Sequence, residues 1–169
     1  MESIKQTLRE FKLAGMLMSL EERIVYANEK QLSYQQFLGL LCEDEANNRR
    51  DNSYKKRYVK AKLPNHKTVE DFDFAFQPSL PKKQINDALT CQFIKEKRNL
   101  IFVGNPGTGK THLSTAIALR ALSKEFKVLF TTVSEMLYQL HVAKADNSYY
   151  KKLGEYLSPD LLVLDELGF

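Results

Sequence analysis

Residues Gly104 to Thr111 read GNPGTGKT. This stretch fits the pattern G-x-x-x-x-G-K-[ST] without a mismatch, and in this pattern a glycine-rich loop surrounds the phosphates of a nucleotide. The pattern has this meaning when a buried strand precedes the loop and a helix follows it. The apolar run Asn99–Val103 predicts that strand, and the apolar positions from Leu113 to Leu122 predict the helix. The sequence therefore predicts an α/β core with a parallel sheet.

The residue types in the loop suit a triphosphate. Glycines let the backbone approach phosphate oxygens, and a proline restricts the loop before the ligand arrives. We predict that Lys110 reaches the β- and γ-phosphates and that the hydroxyl of Thr111 is a ligand of Mg²⁺. His112 starts the helix, where packing is a better expectation than catalysis. The candidate nucleotide-binding residues are Gly104, Asn105, Pro106, Gly107, Thr108, Gly109, Lys110, Thr111 and His112.

A second acidic motif lies near the end of the sequence, where Leu161–Leu164 runs into Asp165 and Glu166. Successive side chains leave a strand in different directions, so Asp165 can face a Mg²⁺ held by Thr111. Glu166 can then orient or deprotonate an attacking water. Both motifs lie at the carboxyl ends of predicted strands, where open parallel sheets bind ligands. Thr111 and Asp165 are thus the candidate metal ligands, and Lys110 and Glu166 the candidate catalytic residues.

The N-terminal part predicts helices rather than a sheet. Apolar residues recur at helical spacing from Glu2 to about Asn28, with a break expected near Gly15. Ser33 is the predicted cap of a second helix, which Pro64 ends. We predict a helical domain over residues 1–63, a linker and leading helix over 64–98, and a partial P-loop core over 99–169.

The second helix ends in a basic tract in which tyrosines alternate with cations. Such a tract is typical of nucleic-acid contact, because cations release counterions from phosphates and tyrosines can stack. A solvated helix face explains the same charges equally well, and the sequence leaves both interpretations open. The candidate DNA-binding residues are Arg49, Arg50, Lys55, Lys56, Arg57 and Lys60.

The segment Phe72–Phe76 alternates aromatic and other residues, which predicts an extended piece with three phenylalanines on one face. Such a piece either covers the base of a nucleotide or belongs to the core, and the second interpretation is favoured.

Composition sets wider bounds. The 169 residues are 43% apolar and 27% charged, as in an ordinary soluble globular protein, and the net charge of +4 does not indicate a partner. No apolar run is long enough to cross a membrane and the N-terminus does not resemble a secretory signal, so we expect a cytoplasmic protein.

Three motifs together resemble the IstB-like family of ATP-binding transposition helpers, which is similar to the DnaC-type helicase loaders among the AAA+ ATPases. They are GNPGTGKTHL, the terminal LLVLDELGF, and FDFAF followed by a helix. The resemblance covers nearly the whole chain. It implies an AAA+ type ATPase core preceded by a helical domain, binding of ATP and Mg²⁺, self-assembly on double-stranded DNA, and partnership with a transposase. A replicative helicase as partner is the alternative, with the N-terminal helices gripping that protein instead of DNA.

The sequence departs from the family after the second acidic motif. Members of the family continue with further strands, a polar sensor residue, an arginine finger and a helical lid, whereas this sequence ends at Phe169. Loss of an arginine finger costs about 10³ to 10⁵ in turnover where such a group is used. We therefore expect nucleotide binding but impaired ATP hydrolysis by this polypeptide, which makes a remnant without turnover a third possibility. We also expect an open sheet edge that favours association.

Overall fold

The computed structural model describes residues 1–75, 77–78 and 80–167. The chain divides into two compact units, Met1–Lys55 and Lys56–Phe169. In chain order the elements are α1 (Glu2–Glu10), α2 (Ala14–Glu29), α3 (Tyr34–Ala61), α4 (Lys82–Leu89), α5 (Gln92–Lys95), α6 (Lys110–Ser123), β1 (Val128–Thr132), α7 (Val133–Ala145), α8 (Tyr149–Leu157) and β2 (Leu161–Asp165).

The first unit is helical, as the apolar spacing predicts. The expected break falls three residues before Gly15, at Lys12, whose φ of 56° turns the chain out of α1. Gly15 serves a different purpose. A Cβ there would lie 2.6 Å from the Cα of Glu45, so only glycine lets α2 approach α3 this closely.

The start of α3 confirms the cap predicted at Ser33. The Ser33 hydroxyl accepts from the backbone N–H of Gln36 at 3.2 Å, and the Gln36 side chain accepts from the backbone N–H of Ser33 at 2.9 Å. This reciprocal pair satisfies two backbone donors at the helix end and fixes where α3 begins.

The second unit has a mixed α/β architecture with a two-stranded parallel sheet. β1 and β2 pair in a register that runs from Val128 opposite Leu161 to Thr132 opposite Asp165. The connection between them contains α7 and α8. The helix α6 supplies much of the core, because most of its residues from Leu113 to Leu122 are buried. Phe93 and Ile117 pack with Leu161 in that core, which places the start of β2 beside α6.

The prediction of a strand at Asn99–Val103 was wrong. No strand forms there, and Ile101 and Val103 are 80% and 91% exposed. An apolar pattern reports a tendency to be buried, but a strand also needs a neighbour to take its backbone hydrogen bonds. The two strands of the described residues pair with each other and not with this run.

The extended piece predicted at Phe72–Phe76 was also wrong for the part that is described. Residues 72–75 are irregular and turn-like, with Phe72 against Phe74 at 4.9 Å between ring centroids. The Asp73 carboxylate accepts from the backbone N–H of Ala75 at 2.8 Å, a local bond that bends the chain. Phe76 lies outside the described residues.

In the described ranges, no helix combines the length and the apolar character that crossing a membrane requires.

Candidate nucleotide-binding site

The loop from Gly104 to Thr111 is held in shape by its own backbone. Gly107 and Gly109 have φ values of 81° and 86°, in the left-handed region that glycine enters at little cost. The Thr108 hydroxyl donates to the carbonyl of Asn105 at 2.8 Å and closes the turn. The turn is therefore closed by a bond within the loop itself.

The ammonium of Lys110 lies at this loop. It donates to the carbonyls of Gly104 at 2.7 Å and Asn105 at 2.8 Å. A lysine has three donors, and an incoming phosphate can exchange with these carbonyls without leaving the ammonium unpaired.

The helix α6 begins directly after the loop, with Gly109 as its N-cap. The backbone N–H groups in the first turn of a helix have no partner within the helix, and they carry partial positive charge. Among the described residues no side chain accepts from the amides of Lys110, Thr111 or His112. Open amides and a nearby ammonium make this helix end suited to an anion.

Thr111 and Asp165 meet across 54 positions of sequence. The Thr111 hydroxyl donates to the Asp165 carboxylate at 2.8 Å, and both side chains are half-buried. The parallel register places Asp165 at the last position of β2, beside Thr132. Hydroxyl and carboxylate oxygens are the ligand type that Mg²⁺ takes, with one or two protein groups completed by phosphates and waters. The residues present therefore fit a Mg²⁺ ion.

Glu166 follows β2 and is exposed, with a φ of 55°. A residue other than glycine in this region costs about 1 kcal/mol or more, and such costs are common at functional sites. β2 ends at Asp165, and the backbone turns out of the strand at Glu166. The two carboxylates therefore leave backbone segments of different conformation.

A cavity of about 450 Å³ opens on the loop. Its described lining comprises Lys67, Phe72, Asp73 and the residues from Gly107 to His112. Neither Lys67 nor Asp73 was predicted to line the site: Lys67 belongs to no motif, and in the FDFAF motif only the phenylalanines were interpreted, not Asp73. The only signal was the aromatic segment at Phe72, for which a cover over the base was one of two interpretations.

His112 joins this wall to the loop helix. Its Nε2 donates to the carbonyl of Thr68 at 2.7 Å, and its ring meets that of Phe72 edge-on at 5.2 Å between centroids. The side chain therefore has a packing role, and it also lines the cavity.

All six candidate DNA-binding residues lie in α3, but they differ in their surroundings. Lys55, Lys56 and Lys60 are exposed and form no ion pair within the described part of the chain. Arg50 is exposed and donates to the Asn47 side chain at 2.5 Å. Arg57 is half-buried; together with Lys60 it lines a second cavity of about 920 Å³ in the second unit, near Lys62.

Arg49 is engaged in the first unit. Its Nε donates to Glu45 at 2.6 Å, and the buried Glu45 carboxylate also accepts from the backbone N–H of Gly15 at 2.7 Å and of Met16 at 3.3 Å. The bond from Arg49, with those two amides, holds the pKa of Glu45 below its ordinary value. Sequence analysis missed this cluster, since nothing in the local sequence connects Gly15 with Glu45.

Comparison with known proteins gives concordant matches. The family described as IstB-like ATP binding protein matches residues 6–169. A protein of insertion sequence IS5376 from Geobacillus stearothermophilus, named for ATP binding, is 37% identical over 85% of this chain and 57% of its own length. A similarly named protein of IS21 from Pseudomonas aeruginosa is 31% identical over 100% of this chain and 64% of its own length. A third, of IS232 from Bacillus thuringiensis subsp. berliner, is 32% identical over 99% of this chain and 67% of its own length.

The chain thus spans 57% and 64% of the length of the first two of these relatives.

Proposed function

The chain belongs to the IstB-like ATP-binding protein family, and from this premise we propose that it binds ATP with Mg²⁺ at the phosphate loop. We propose further that it acts as a helper of insertion-sequence transposition, binding double-stranded DNA and a transposase under nucleotide control. The contact between Thr111 and Asp165 at 2.8 Å carries the proposal, because it joins the phosphate loop to the second acidic motif. The names of the relatives support the setting in an insertion sequence.

In this proposal the triphosphate occupies the loop. Phosphate oxygens accept from the open amides at the start of α6 and from Lys110, which gives up its carbonyl partners. Thr111 and Asp165 would hold Mg²⁺, and the ion would supply positive charge beside the phosphates. Glu166 orients the water that attacks the terminal phosphate.

Calorimetric titration with ATP and Mg²⁺ tests the binding site. Lys110→Ala removes a charged hydrogen-bond donor worth about 1.5–3 kcal/mol, so we expect affinity to fall about 10- to 150-fold. Lys83→Ala is the matched control, because Lys83 is exposed on α4 and does not line the cavity. Equal affinity in both variants, or no binding by the wild type, would contradict the proposed site.

Replacement of Glu166 by Gln tests the hydrolytic role. The variant keeps the shape of the side chain and loses the base, so ATP affinity should stay the same while steady-state phosphate release falls. Unchanged release in Glu166→Gln would remove Glu166 from the proposal. Release that survives Lys110→Ala would come from somewhere other than the phosphate loop and would contradict hydrolysis at this site.

DNA binding is proposed to use the exposed lysines of α3. Removing Lys55, Lys56 and Lys60 together, each to Gln, should weaken binding of a double-stranded fragment and reduce the slope of log affinity against log salt by up to about 3. A variant with Lys12, Lys83 and Lys95 changed to Gln removes the same charge from exposed positions outside α3. Equal losses in the two variants would show that only net charge matters.

The proposed protein partner is a transposase, and the alternative is a replicative helicase. The relatives named for insertion sequences favour a transposase over a replicative helicase. Parallel pull-downs with the two proteins, each with and without ATP, distinguish them, and selective retention of the helicase would support a helicase loader instead.

Self-association with ATP and DNA is also proposed. Sedimentation velocity should show a larger species only when both ligands are present.

A further inference from the structure

Besides the phosphate loop, the described lining of the cavity comes from a short segment, residues 67–73, which we call the strap. Its turn is held from within, because the Asp71 carboxylate accepts from the backbone N–H of Thr68 at 2.8 Å and from its hydroxyl at 2.9 Å. The backbone N–H of Phe72 adds a bond to the carbonyl of Val69 at 3.1 Å. The strap is therefore an ordered turn rather than a loose connection.

Two contacts fix the strap to the phosphate loop. The first is the bond from His112 to the carbonyl of Thr68; since a carbonyl can only accept, Nε2 carries the proton. The second is the ring of Phe72, which lies so close to Gly109 that a Cβ there would sit 2.4 Å from it. Both contacts reach the first turn of α6 or its cap, so the position of the strap depends on the phosphate loop.

The cavity between strap and loop is large enough for more than phosphates. Its volume of about 450 Å³ falls within the range of roughly 300–1,000 Å³ that is usual for small-molecule sites. A triphosphate on the loop amides leaves its nucleoside to occupy the remaining space. The described residues that border this space outside the loop are Lys67, Phe72 and Asp73. An aromatic face and two polar groups suit a base and a ribose.

We propose that His112 is a positioning residue, which fixes the strap to the phosphate-loop helix and so controls the affinity for the nucleoside part of the ligand. This inference rests on the proposed nucleotide site. His112 acts through Thr68 and Phe72, whereas Lys110 acts on the phosphates directly. Loss of His112 should therefore weaken binding of a nucleotide but not of a ligand that consists of phosphates alone.

The test compares ATP with inorganic tripolyphosphate, each with Mg²⁺, by calorimetric titration of the full chain. His112→Ala should weaken ATP binding about tenfold and change tripolyphosphate binding less than about twofold. His112→Gln keeps an N–H donor near the Nε2 position and should recover most of the ATP affinity. His66→Ala is the matched control, a histidine one residue before the strap whose ring lies 6.0 Å from that of Tyr58.

The experiment gives different results if the proposed role of the strap is wrong and if the proposed phosphate site is wrong. Lys110→Ala should weaken both ligands, which tests the phosphate site alone. Equal weakening of ATP and tripolyphosphate in His112→Ala, an unchanged ATP affinity, or a Gln variant no better than Ala would overturn the role of the strap. A wild type that binds tripolyphosphate as tightly as ATP would overturn it as well.

A fluorescent reporter gives an independent readout that does not depend on affinity. The chain contains no tryptophan, so Phe72→Trp places a single indole on the strap. Its emission should change with ATP and stay constant with tripolyphosphate. Phe11→Trp, at a side chain 69% exposed in the first unit, should respond to neither ligand. Identical responses to the two ligands at position 72 would contradict the proposal.

Discussion

Two helices of this protein begin in opposite ways. α2 starts with the amides of Gly15 and Met16 donating to the buried carboxylate of Glu45. α6 starts after Gly109 with amides that no described side chain accepts from, and its first residue is Lys110. A helix start attracts anions in both cases. Where the chain supplies its own carboxylate the helix end is structural, and where it supplies a cation instead the end is available to a ligand.

Gly15 and Gly109 have different roles at these two helix starts. Gly15 permits close contact with α3, so that Glu45 reaches the amides of α2. Gly109 takes a left-handed φ and lies against Phe72, leaving the amides of α6 uncovered. Four predictions, in decreasing order of expected effect, test this difference.

Removing the internal carboxylate should have the largest effect. Glu45→Ala leaves two amides of α2 without their acceptor, whereas the exposed Arg49 guanidinium can turn to water. Each buried donor left without a partner costs about 1–3 kcal/mol, so we expect a loss of about 2–4 kcal/mol. Urea denaturation followed by circular dichroism measures the free energy of unfolding. Glu43→Ala, at an exposed position of the same helix, should change it by less than about 0.5 kcal/mol. Similar losses in the two variants would show that Glu45 is not a cap.

Adding a carboxylate at the start of α6 should prevent this helix end from binding an anion. Thr108→Asp places an anion next to the cap of α6, which should repel phosphates and lower ATP affinity at least about tenfold relative to the neutral Thr108→Asn. Thermal unfolding should at the same time favour the Asp variant slightly, because its carboxylate stabilises the helix start. ATP affinity equal in the Asp and Asn variants would mean that the helix end does not face phosphate.

Truncating Arg49 should have a smaller effect than truncating Glu45. The guanidinium side chain is 62% exposed, so Arg49→Ala removes one partner but leaves the Glu45 carboxylate with its two amides. We expect a loss of about 1 kcal/mol in the free energy of unfolding. Arg50→Ala, next to it on α3, is the control and should change stability little. If both variants weaken DNA binding equally while only Arg49→Ala lowers stability, the contribution of Arg49 to DNA binding is separate from its contribution to stability through Glu45.

Acid should produce the smallest effect, through Asp44. Arg23 donates to both carboxylate oxygens at 2.7 Å and, as the main cause, lowers the pKa of Asp44 from 3.8 to about 2. A carboxyl with a lowered pKa stabilises the fold above its unfolded value, and this stabilisation is lost as pH falls through the folded value. Unfolding free energies should therefore fall between about pH 4 and pH 2 more steeply in the wild type than in Asp44→Asn. Parallel curves would contradict the assignment.

Local patterns predicted the elements that depend on nearby residues. Four such features follow from spacing within one element: the loop motif, the helix after it, the apolar run that became β2, and the Ser33 cap. Prediction from the sequence was wrong or incomplete where the local structure depends on a partner that is distant in the chain. Asn99–Val103 has the pattern of a strand but pairs with no strand of the described residues, and the acceptor for the Gly15 amide lies 30 positions away. The role of Phe72 was not predictable for the same reason, because an aromatic side chain in a short turn packs against residues distant in the sequence, here Gly109 and His112.

The backbone amides at the starts of α2 and α6 can be followed directly while tripolyphosphate and Mg²⁺ are added. Nitrogen–proton correlation spectra of the labelled chain resolve these groups individually. Resonances from Gly107 to His112 should shift and saturate with ligand, while those of Gly15 and Met16 stay in place because Glu45 already occupies them. Unchanged loop resonances, or equal shifts at the two helix starts, would contradict the claim that the start of α6 is the open anion site.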